Sequence, residues 1–334
     1  MASPAEKATC EKKTGFWARL TAGTGFVIFR RMKTTIFSAL AFFAAGAAPA
    51  EAPSMITLQT ESSSAVVSLH GGKVMSFKIG GEELLWSPKA WSDDAGKWCH
   101  GGIPLCWPWF GRSGSDTNVL HGFAWRSKFE VRGRKSSPGR SELVLGLLPS
   151  DATRKEWPHE FDLEYTVVLT DRLSLRLRTK NIGKKPFAIT TGFHPYFFIG
   201  DRDRTTITGT DGMSYCDARV GVDYNGVWKG DLKLLDAFDH VFVEPRGAAL
   251  HKIVDPLLDR YVSVASSGAK RLVVWNPGTE DESDNPAPGD LATGDWRHFV
   301  CVEPAILWKE AAVEVQPGAV HELMAEISLA KGGN

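Results

Sequence analysis

The segment from Trp98 to Arg126 reads WCHGGIPLCWPWFGRSGSDTNVLHGFAWR and fits neither a regular helix nor a regular strand. Pro104 and Pro108 remove backbone donors, which interrupts both kinds of element. The pair Gly101-Gly102 allows positive φ angles or a close approach of two backbones. Because the segment also carries four tryptophans on irregular backbone, we expect it to form either a core plug or the floor of a binding site.

Composition limits the classes of ligand. The chain has 334 residues, with 39 Lys and Arg against 39 Asp and Glu, so its formal net charge is zero. No positive excess points to nucleic acid, and no acidic excess indicates a solvated tail. Twelve tryptophans are present, and the flat apolar face of this side chain suits sugar rings as well as cores. Composition therefore gives no sign of a nucleic-acid partner, and it leaves the oligomeric state open.

The N-terminal region differs from the rest of the chain. Residues 1–31 show no domain-like pattern and are predicted to be a disordered arm or the product of a start assigned too far upstream. Residues 32–52 combine a basic flank, a short apolar run and an Ala50-Glu51-Ala52 cleavage pattern, which is typical of a signal peptide. The run is too short for a membrane span. We expect export to the periplasm or medium with no membrane attachment after cleavage; the alternative is a cytoplasmic protein with an apolar arm.

Strand-like segments dominate from Ile56 onward. In LSLRLRTKN, which starts at Leu173, leucines alternate with polar residues, as in an antiparallel sheet with one buried face. Gly71-Gly72 predicts a hairpin turn, and 187–193 is predicted to be one strand. Residues 279–295 are polar and acidic, which predicts a surface loop. With no long amphipathic helix pattern, residues 56–330 are predicted to form one all-β domain, a large antiparallel β-sandwich.

Three short motifs place an ionisable group in an apolar frame. His194 precedes a proline, which predicts the end of a strand and a side chain free to face a cleft. Glu303 closes the apolar run FVCVE, where burial would raise its pKa and make it a general base. Asp239 opens the apolar strand DHVFV. The structural alternatives are a core histidine, a solvated strand-end glutamate and an ordinary turn aspartate.

Other chemistries find little support in the sequence. The motifs G-x-S-x-G, G-x-G-x-x-G and the P-loop are missing, as is any C-x-x-C, H-x-H or H-E-x-x-H spacing. We therefore expect acid–base chemistry without a metal or cofactor. A disulfide between Cys99 and Cys216 would suit an oxidising compartment, but their spacing leaves the bond open.

Taken together, the motifs resemble those of the hexose-6-phosphate mutarotase (glucose-6-phosphate 1-epimerase) family, within the galactose-mutarotase-like superfamily. The resemblance extends over residues 56–330, and GGIPLCWPWFG followed by HGFA is its most specific part. The matching positions are 101–111 (GGIPLCWPWFG), 121–124 (HGFA), 193–197 (FHPYF), Asp239, 274–278 (VWNPG) and 301–304 (CVEP).

This resemblance implies a β-supersandwich and an isomerase that interconverts the α and β anomers of a hexose or hexose phosphate. Glu303 would take the proton from the anomeric O1 hydroxyl, and His194 would protonate the ring oxygen O5. Asp239 and His121 would bind the sugar, and Trp109 would contribute to the floor of the site. No cofactor is implied.

Two positions depart from the family pattern. The family commonly has arginines that grip the 6-phosphate where this chain has His100 and Trp125, and neither supplies a bidentate guanidinium. Arg126 is one position late and would face the opposite side of an extended strand, while Arg112 could reach in from the loop. The hypothesis is that the substrate is a non-phosphorylated aldose. The alternative from another class is a non-catalytic carbohydrate-binding sandwich.

Overall fold

The computed structural model describes residues 54–89, 98–112, 119–221, 226–234, 237–244, 247–278 and 290–332. The predicted arm at 1–31, the predicted signal peptide at 32–52 and most of the predicted loop at 279–295 lie outside these ranges. The longest helix here is α1 (Asp151–Glu156), and short 3-10 turns cover Ala124–Arg126, Arg202–Arg204, Asp295–His298 and Lys309–Ala311. No helix within these ranges is long and apolar enough to cross a bilayer.

Twenty-three strands make up the rest of the regular structure in the described ranges. In chain order they are β1 (Met55–Gln59), β2 (Ser63–Ser68), β3 (Val74–Ile79), β4 (Glu82–Glu83), β5 (Leu105–Cys106), β6 (Glu130–Ser137), β7 (Arg140–Leu147), β8 (Phe161–Leu169), β9 (Leu173–Asn181), β10 (Phe187–Ile189), β11 (Thr191–Phe193), β12 (Tyr196–Phe198), β13 (Thr206–Thr208), β14 (Ser214–Asp217), β15 (Gly226–Val227), β16 (Leu232–Lys233), β17 (Phe238–Val243), β18 (Ala248–Asp255), β19 (Arg260–Ser267), β20 (Arg271–Asn276), β21 (Phe299–Ile306), β22 (Val313–Val315) and β23 (Val320–Lys331).

The larger sheet has nine strands in the order β16-β13-β18-β19-β23-β9-β8-β7-β6. Along β9 the leucines are buried and the residues between them are half-buried, because successive side chains point to opposite faces of a strand. The predicted alternation is confirmed. The opposing sheet has eight strands: β15-β14-β17-β20-β21-β11-β5 in order, with β12 also paired to β21.

The two sheets pack against each other through one apolar core. The rings of Tyr165 on β8 and Phe193 on β11 lie 6.2 Å apart, and the indole of Trp107 donates a 3.0 Å hydrogen bond to Thr179 Oγ1 on β9. Large fully buried aromatic side chains fill the space between the layers, as close packing of two sheets requires. The predicted antiparallel β-sandwich is confirmed.

Two smaller sheets complete the fold. Strands β1 to β4 form a meander, in which β2 and β3 pair antiparallel across the predicted Gly71-Gly72 turn. β10 pairs with β22. The segment 187–193 is thus two strands in different sheets, and the single predicted strand is wrong. Thr190 makes the break: its N–H donates to the Pro108 carbonyl and its hydroxyl accepts from the Phe110 N–H.

Candidate active site

Strand register brings His194 and Glu303 together. The strands β11 and β12 both pair antiparallel with β21, through the pairs Gly192–Ala305 and Tyr196–Cys301. Continuing this register between the two pairs sets His194 opposite Glu303, although Pro195 interrupts the ladder itself. Both side chains lie on the face of the sheet that points away from the main core, because the alternate residues Val300 and Val302 belong to that core.

The pair is close and almost fully buried. His194 Nε2 lies 3.6 Å from Glu303 Oε2, and the two residues are 7% and 1% exposed. Burial raises the pKa of Glu303 well above its ordinary value, and the charge of Asp239 adds to the rise. Burial lowers the pKa of His194 well below its ordinary value, and the neighbouring imidazoles of His121 and His100 lower it further. Both shifts favour the neutral forms, namely a protonated carboxyl group beside an unprotonated imidazole.

His121 presents a neutral imidazole of defined tautomer. Its backbone N–H donates to the Gly111 carbonyl at 2.7 Å, and its Nδ1 accepts from the Gly111 N–H at 3.1 Å. Burial, followed by the charge of His100, lowers the pKa of His121 to about 3. Because Nδ1 is an acceptor in a neutral ring, Nε2 carries the hydrogen. The ring lies edge-on to His194, with centroids 5.3 Å apart, so His121 can donate a hydrogen bond into the same pocket.

Asp239 reaches the same face from β17. It pairs with Trp275 on β20, which in turn pairs with Cys301 on β21, and this register continues the face that carries Glu303. Burial and then the charge of Asp217 raise the pKa of Asp239 to about 6. An acidic group in this position can accept hydrogen bonds from sugar hydroxyls, and its negative charge repels that of an ionised Glu303.

His100 is fixed by an acidic partner that sequence reasoning did not identify. Its N–H donates to Asp290 Oδ2 at 2.7 Å, and its Nδ1 lies 3.0 Å from Oδ1. Burial alone would raise the pKa of Asp290, but the hydrogen bond and charge of His100 leave it lowered. Lys73 Nζ donates to the carbonyls of Cys99 and His100 at 2.8 and 3.0 Å. The imidazole stacks on Trp275 with centroids 6.2 Å apart.

Two glycines make room for the irregular segment. A Cβ on Gly122, whose φ is 73°, would lie 2.1 Å from the Trp107 carbonyl oxygen, so no side chain fits there. A Cβ on Gly192 would lie 2.7 Å from two ring carbons of Phe110. The missing side chain lets that ring settle on the sheet beside His194, to which it lies almost parallel.

These groups surround a cavity of about 890 Å³. His194, Glu303 and His121 line it, as do three of the predicted sugar-binding residues, namely Asp239, Trp109 and Arg112. The structure therefore brings six of the seven predicted site residues to one pocket.

Arg126 is the exception. It forms an ion pair with Glu156, and it lines a neighbouring surface cavity rather than this one. The segment Ala124–Arg126 is a 3-10 turn, so the prediction that Arg126 faces away because of strand alternation rested on the wrong geometry. The indole of Trp125 donates to the Leu120 carbonyl at 3.0 Å.

The pocket also contains residues that the motifs did not single out for it. Trp98 stacks on His121 with centroids 4.9 Å apart, and Tyr196 stacks on His194 at the same distance. The position of Tyr196, two residues after His194, was the available signal, because strand residues i and i+2 share a face. Trp308 also lines the pocket, with φ 67° and ψ 152°, a backbone region that non-glycine residues rarely occupy.

Cysteines are placed as buried or half-buried groups. No disulfide joins the four cysteines within the described ranges, so the bond between Cys99 and Cys216 that the sequence left open is absent. Cys301 lies two residues before Glu303 on β21, on the same face. Its sulfur and the ligand atoms of His194 and Glu303 lie within 4.8 Å of one another, which is the one such group in the described part of the chain.

Comparisons with known proteins agree with this architecture. The model of the aldose 1-epimerase family matches residues 54–328. A Salmonella typhimurium protein, whose name gives glucose-6-phosphate 1-epimerase as an inferred activity, is 30% identical over 242 residues, or 71% of this chain and 77% of that protein. A similarly named protein of Cenchrus ciliaris is 31% identical over 267 residues, covering 76% and 78%. The crystal structure of an inferred mutarotase from Salmonella typhimurium superposes with a TM-score of 0.75 at 27% identity, covering 83% of this chain and 90% of that one.

The chain belongs to the aldose 1-epimerase family, since the family model spans nearly all of the described domain. It is an isomerase of the hexose mutarotase type, and the resemblance based on its motifs is confirmed.

Proposed function

We propose that the protein interconverts the α and β anomers of an aldohexose, with Glu303 as the base at O1 and His194 as the acid at O5. One observation carries the assignment: a carboxyl oxygen and an imidazole nitrogen lie 3.6 Å apart on the pocket wall. O1 and O5 of a pyranose are bonded to the same carbon, C1. Ring opening therefore needs a proton acceptor and a proton donor side by side, and this pair supplies both.

The proton count of the pair closes over one catalytic cycle. In the tautomer that carries the proton of the pair on His194, opening moves the O1 proton to the Glu303 carboxylate and the imidazolium proton to O5, which breaks the C1–O5 bond and leaves an aldehyde. The pair is then a neutral acid beside a neutral imidazole, the form that burial favours. After rotation about C1–C2, the acid returns its proton to O1 while the imidazole takes the O5 proton, and closure on the other face gives the opposite anomer.

The neighbouring groups orient the sugar in this scheme. His121 donates its Nε2 hydrogen near the ring oxygen, because its Nδ1 is engaged by the Gly111 N–H. Asp239 accepts hydrogen bonds from hydroxyl groups on the side of β17. Aromatic rings, such as those of Tyr196 and Trp275, offer apolar faces to the C–H groups of the ring.

We further propose that the substrate is a non-phosphorylated aldose. Within the described lining of the pocket, Arg112 and Lys309 are the arginine and lysine side chains, and the lining includes the acidic groups of Glu156 and Asp239 as well. His100, at one of the two positions where the family carries arginine, is engaged by Asp290. A phosphate dianion favours converging guanidinium groups, which this arrangement does not offer.

The test is the rate of anomerisation followed by polarimetry or saturation-transfer NMR, with freshly dissolved α-glucose, α-galactose and glucose 6-phosphate. Glu303→Gln and His194→Asn should each lower kcat by about 10²–10⁴-fold, the usual contribution of a general acid or base. Comparable rates of wild type and Glu303→Gln would refute the assignment of the base. Activity confined to glucose 6-phosphate would refute the proposed substrate class, and sugar binding without anomerisation would leave a carbohydrate-binding protein.

We also propose that residues 32–52 act as a signal peptide and that the mature protein is exported. The basic flank, the apolar run and the small residues at the cleavage pattern support this. Mass spectrometry of the N-terminus of protein expressed from its full reading frame tests it, and an uncleaved cytoplasmic product starting at Met1 would contradict it.

A further inference from the structure

The acid–base pair lies beside a cysteine thiol, that of Cys301, which the proposed reaction does not use. Cys301 and Glu303 share one face of β21, and His194 lies opposite Glu303 in the same sheet. One potential ligand atom from each residue, a sulfur, a nitrogen and an oxygen, falls within 4.8 Å of the other two. All three residues are buried, with Cys301 at 0% and Glu303 at 1% exposure.

Two polar atoms at this cluster have no hydrogen-bond partner. Glu303 Oε2 and His194 Nδ1 are both buried, and neither makes a hydrogen bond. Unpaired polar atoms in a protein interior carry a large desolvation penalty, so these two atoms are available to water, to a ligand or to an ion. A sugar hydroxyl can bind them, and so can a cation.

We propose that His194, Cys301 and Glu303 bind a thiophilic divalent cation such as Zn²⁺, with its fourth coordination position open to the pocket. One imidazole, one thiolate and one carboxylate form a donor set suited to tetrahedral zinc. Mg²⁺ and Ca²⁺ prefer oxygen ligands alone and do not match it. Binding replaces the S–H bond of Cys301 by a Zn–S bond and ionises the Glu303 carboxyl group, and both protons leave to the solvent.

The sugar and the ion reach this site by one route. His194 and Glu303 line the pocket, while Cys301 lies behind them, paired with Tyr196 on one side and Trp275 on the other. A bound ion would occupy both the acid and the base. The metal site itself is independent of the proposed function, but inhibition of anomerisation, competitive with sugar, rests on it.

Binding is measured on the whole protein by titration with Co²⁺, whose thiolate complexes absorb in the near ultraviolet, and by calorimetry with Zn²⁺. Cys301→Ala should abolish the thiolate absorption and raise the Zn²⁺ Kd at least about tenfold. The matched control is Cys216→Ala: Cys216 is also fully buried in the same sheet but lies outside the cluster, and its loss should change neither readout. Calorimetry in buffers of different ionisation enthalpy should show proton release.

Activity supplies the second readout. Zn²⁺ should inhibit anomerisation by the wild type, more sugar should relieve the inhibition, chelation should reverse it, and Mg²⁺ should have no effect. A Co²⁺ complex without thiolate absorption, or an unchanged Zn²⁺ Kd in Cys301→Ala, would overturn the proposal. If Cys301→Ala does not fold, the Co²⁺ spectrum of the wild type and the Kd of Cys301→Ser decide. If the wild type anomerises no sugar, the proposed function fails while the spectrum still decides the metal site.

Discussion

Replacing Asp239 by asparagine should stabilise the folded protein and weaken its binding of sugar. The pKa of this carboxyl group rises from 3.8 to about 6, mainly through burial and then through the charge of Asp217. A raised carboxyl pKa means that the folded state binds the proton more tightly than the unfolded state. The free energy of unfolding is therefore highest while Asp239 is protonated, below about pH 3.8, and it falls as the pH rises from there through about 6.

The magnitude follows from the shift. About two pKa units correspond to about 3 kcal/mol at 1.36 kcal/mol per unit, and partial exposure of the side chain reduces this to about 1–2 kcal/mol. Asp239→Asn removes the charge at nearly constant volume. Its free energy of unfolding at neutral pH should therefore exceed that of the wild type by about 1–2 kcal/mol, and the gain should vanish below about pH 4.

Urea unfolding at both pH values measures the gain in stability. The KM for the sugar should rise, because the amide replaces one of the two acceptor oxygens of the carboxylate by an NH₂ donor. Asp217→Asn is the matched control on the neighbouring strand. A hydrogen bond from Arg219 lowers the pKa of Asp217, so that variant should lose stability at neutral pH. A less stable Asp239→Asn, or an equal gain at both pH values, would refute the electrostatic reasoning.

Three further outcomes are expected. Burial lowers the pKa of His194 and raises that of Glu303, so the singly protonated pair should give kcat/KM a broad plateau across neutral pH; a narrow maximum between about 4.5 and 6.5 would contradict this. Gly192→Ala should displace the Phe110 ring and destabilise the fold by about 1–3 kcal/mol while lowering kcat/KM; thermal unfolding and polarimetry test it, and an unaltered enzyme would count against the contact. Ser150→Ala should remove the N-cap hydrogen bond of α1 and lower the free energy of unfolding in urea by about 1 kcal/mol, with unchanged kcat. An unchanged free energy of unfolding would contradict the contribution of this cap.

Local patterns in the sequence predicted the fold class well. In β9 the burial of alternate residues follows the sequence residue by residue, because the period of a strand depends only on its own backbone. The proline after His194 predicted a strand end, and β11 does end at Phe193. The apolar frame of Glu303 predicted burial, and this residue is among the most buried charged groups described.

Features that depend on distant parts of the chain were not predictable from one sequence. The opposition of His194 and Glu303 follows from pairing across more than one hundred positions of chain, which no local pattern encodes. Asp290 belongs to a segment whose polarity indicated only a surface loop, yet it holds His100. The 3-10 turn at Ala124–Arg126 stands where an extended strand was assumed, so strand alternation does not determine where Arg126 points. The short helix α1 had a capping signal in Ser150 and Thr153 that could have revealed it.

The opposition of His194 and Glu303 through strand register has a consequence for how this scaffold can change. Neighbouring strands lie about 4.8 Å apart, and this spacing is common to β-sheets whatever loops surround them. Much of the pocket wall comes from connecting segments, including Trp98, Arg112 and Trp308. Insertions or exchanges in those segments can alter which sugar enters while the separation of proton donor and acceptor persists. Grafting such loops between relatives is therefore a route to new substrates that leaves the chemical step in place.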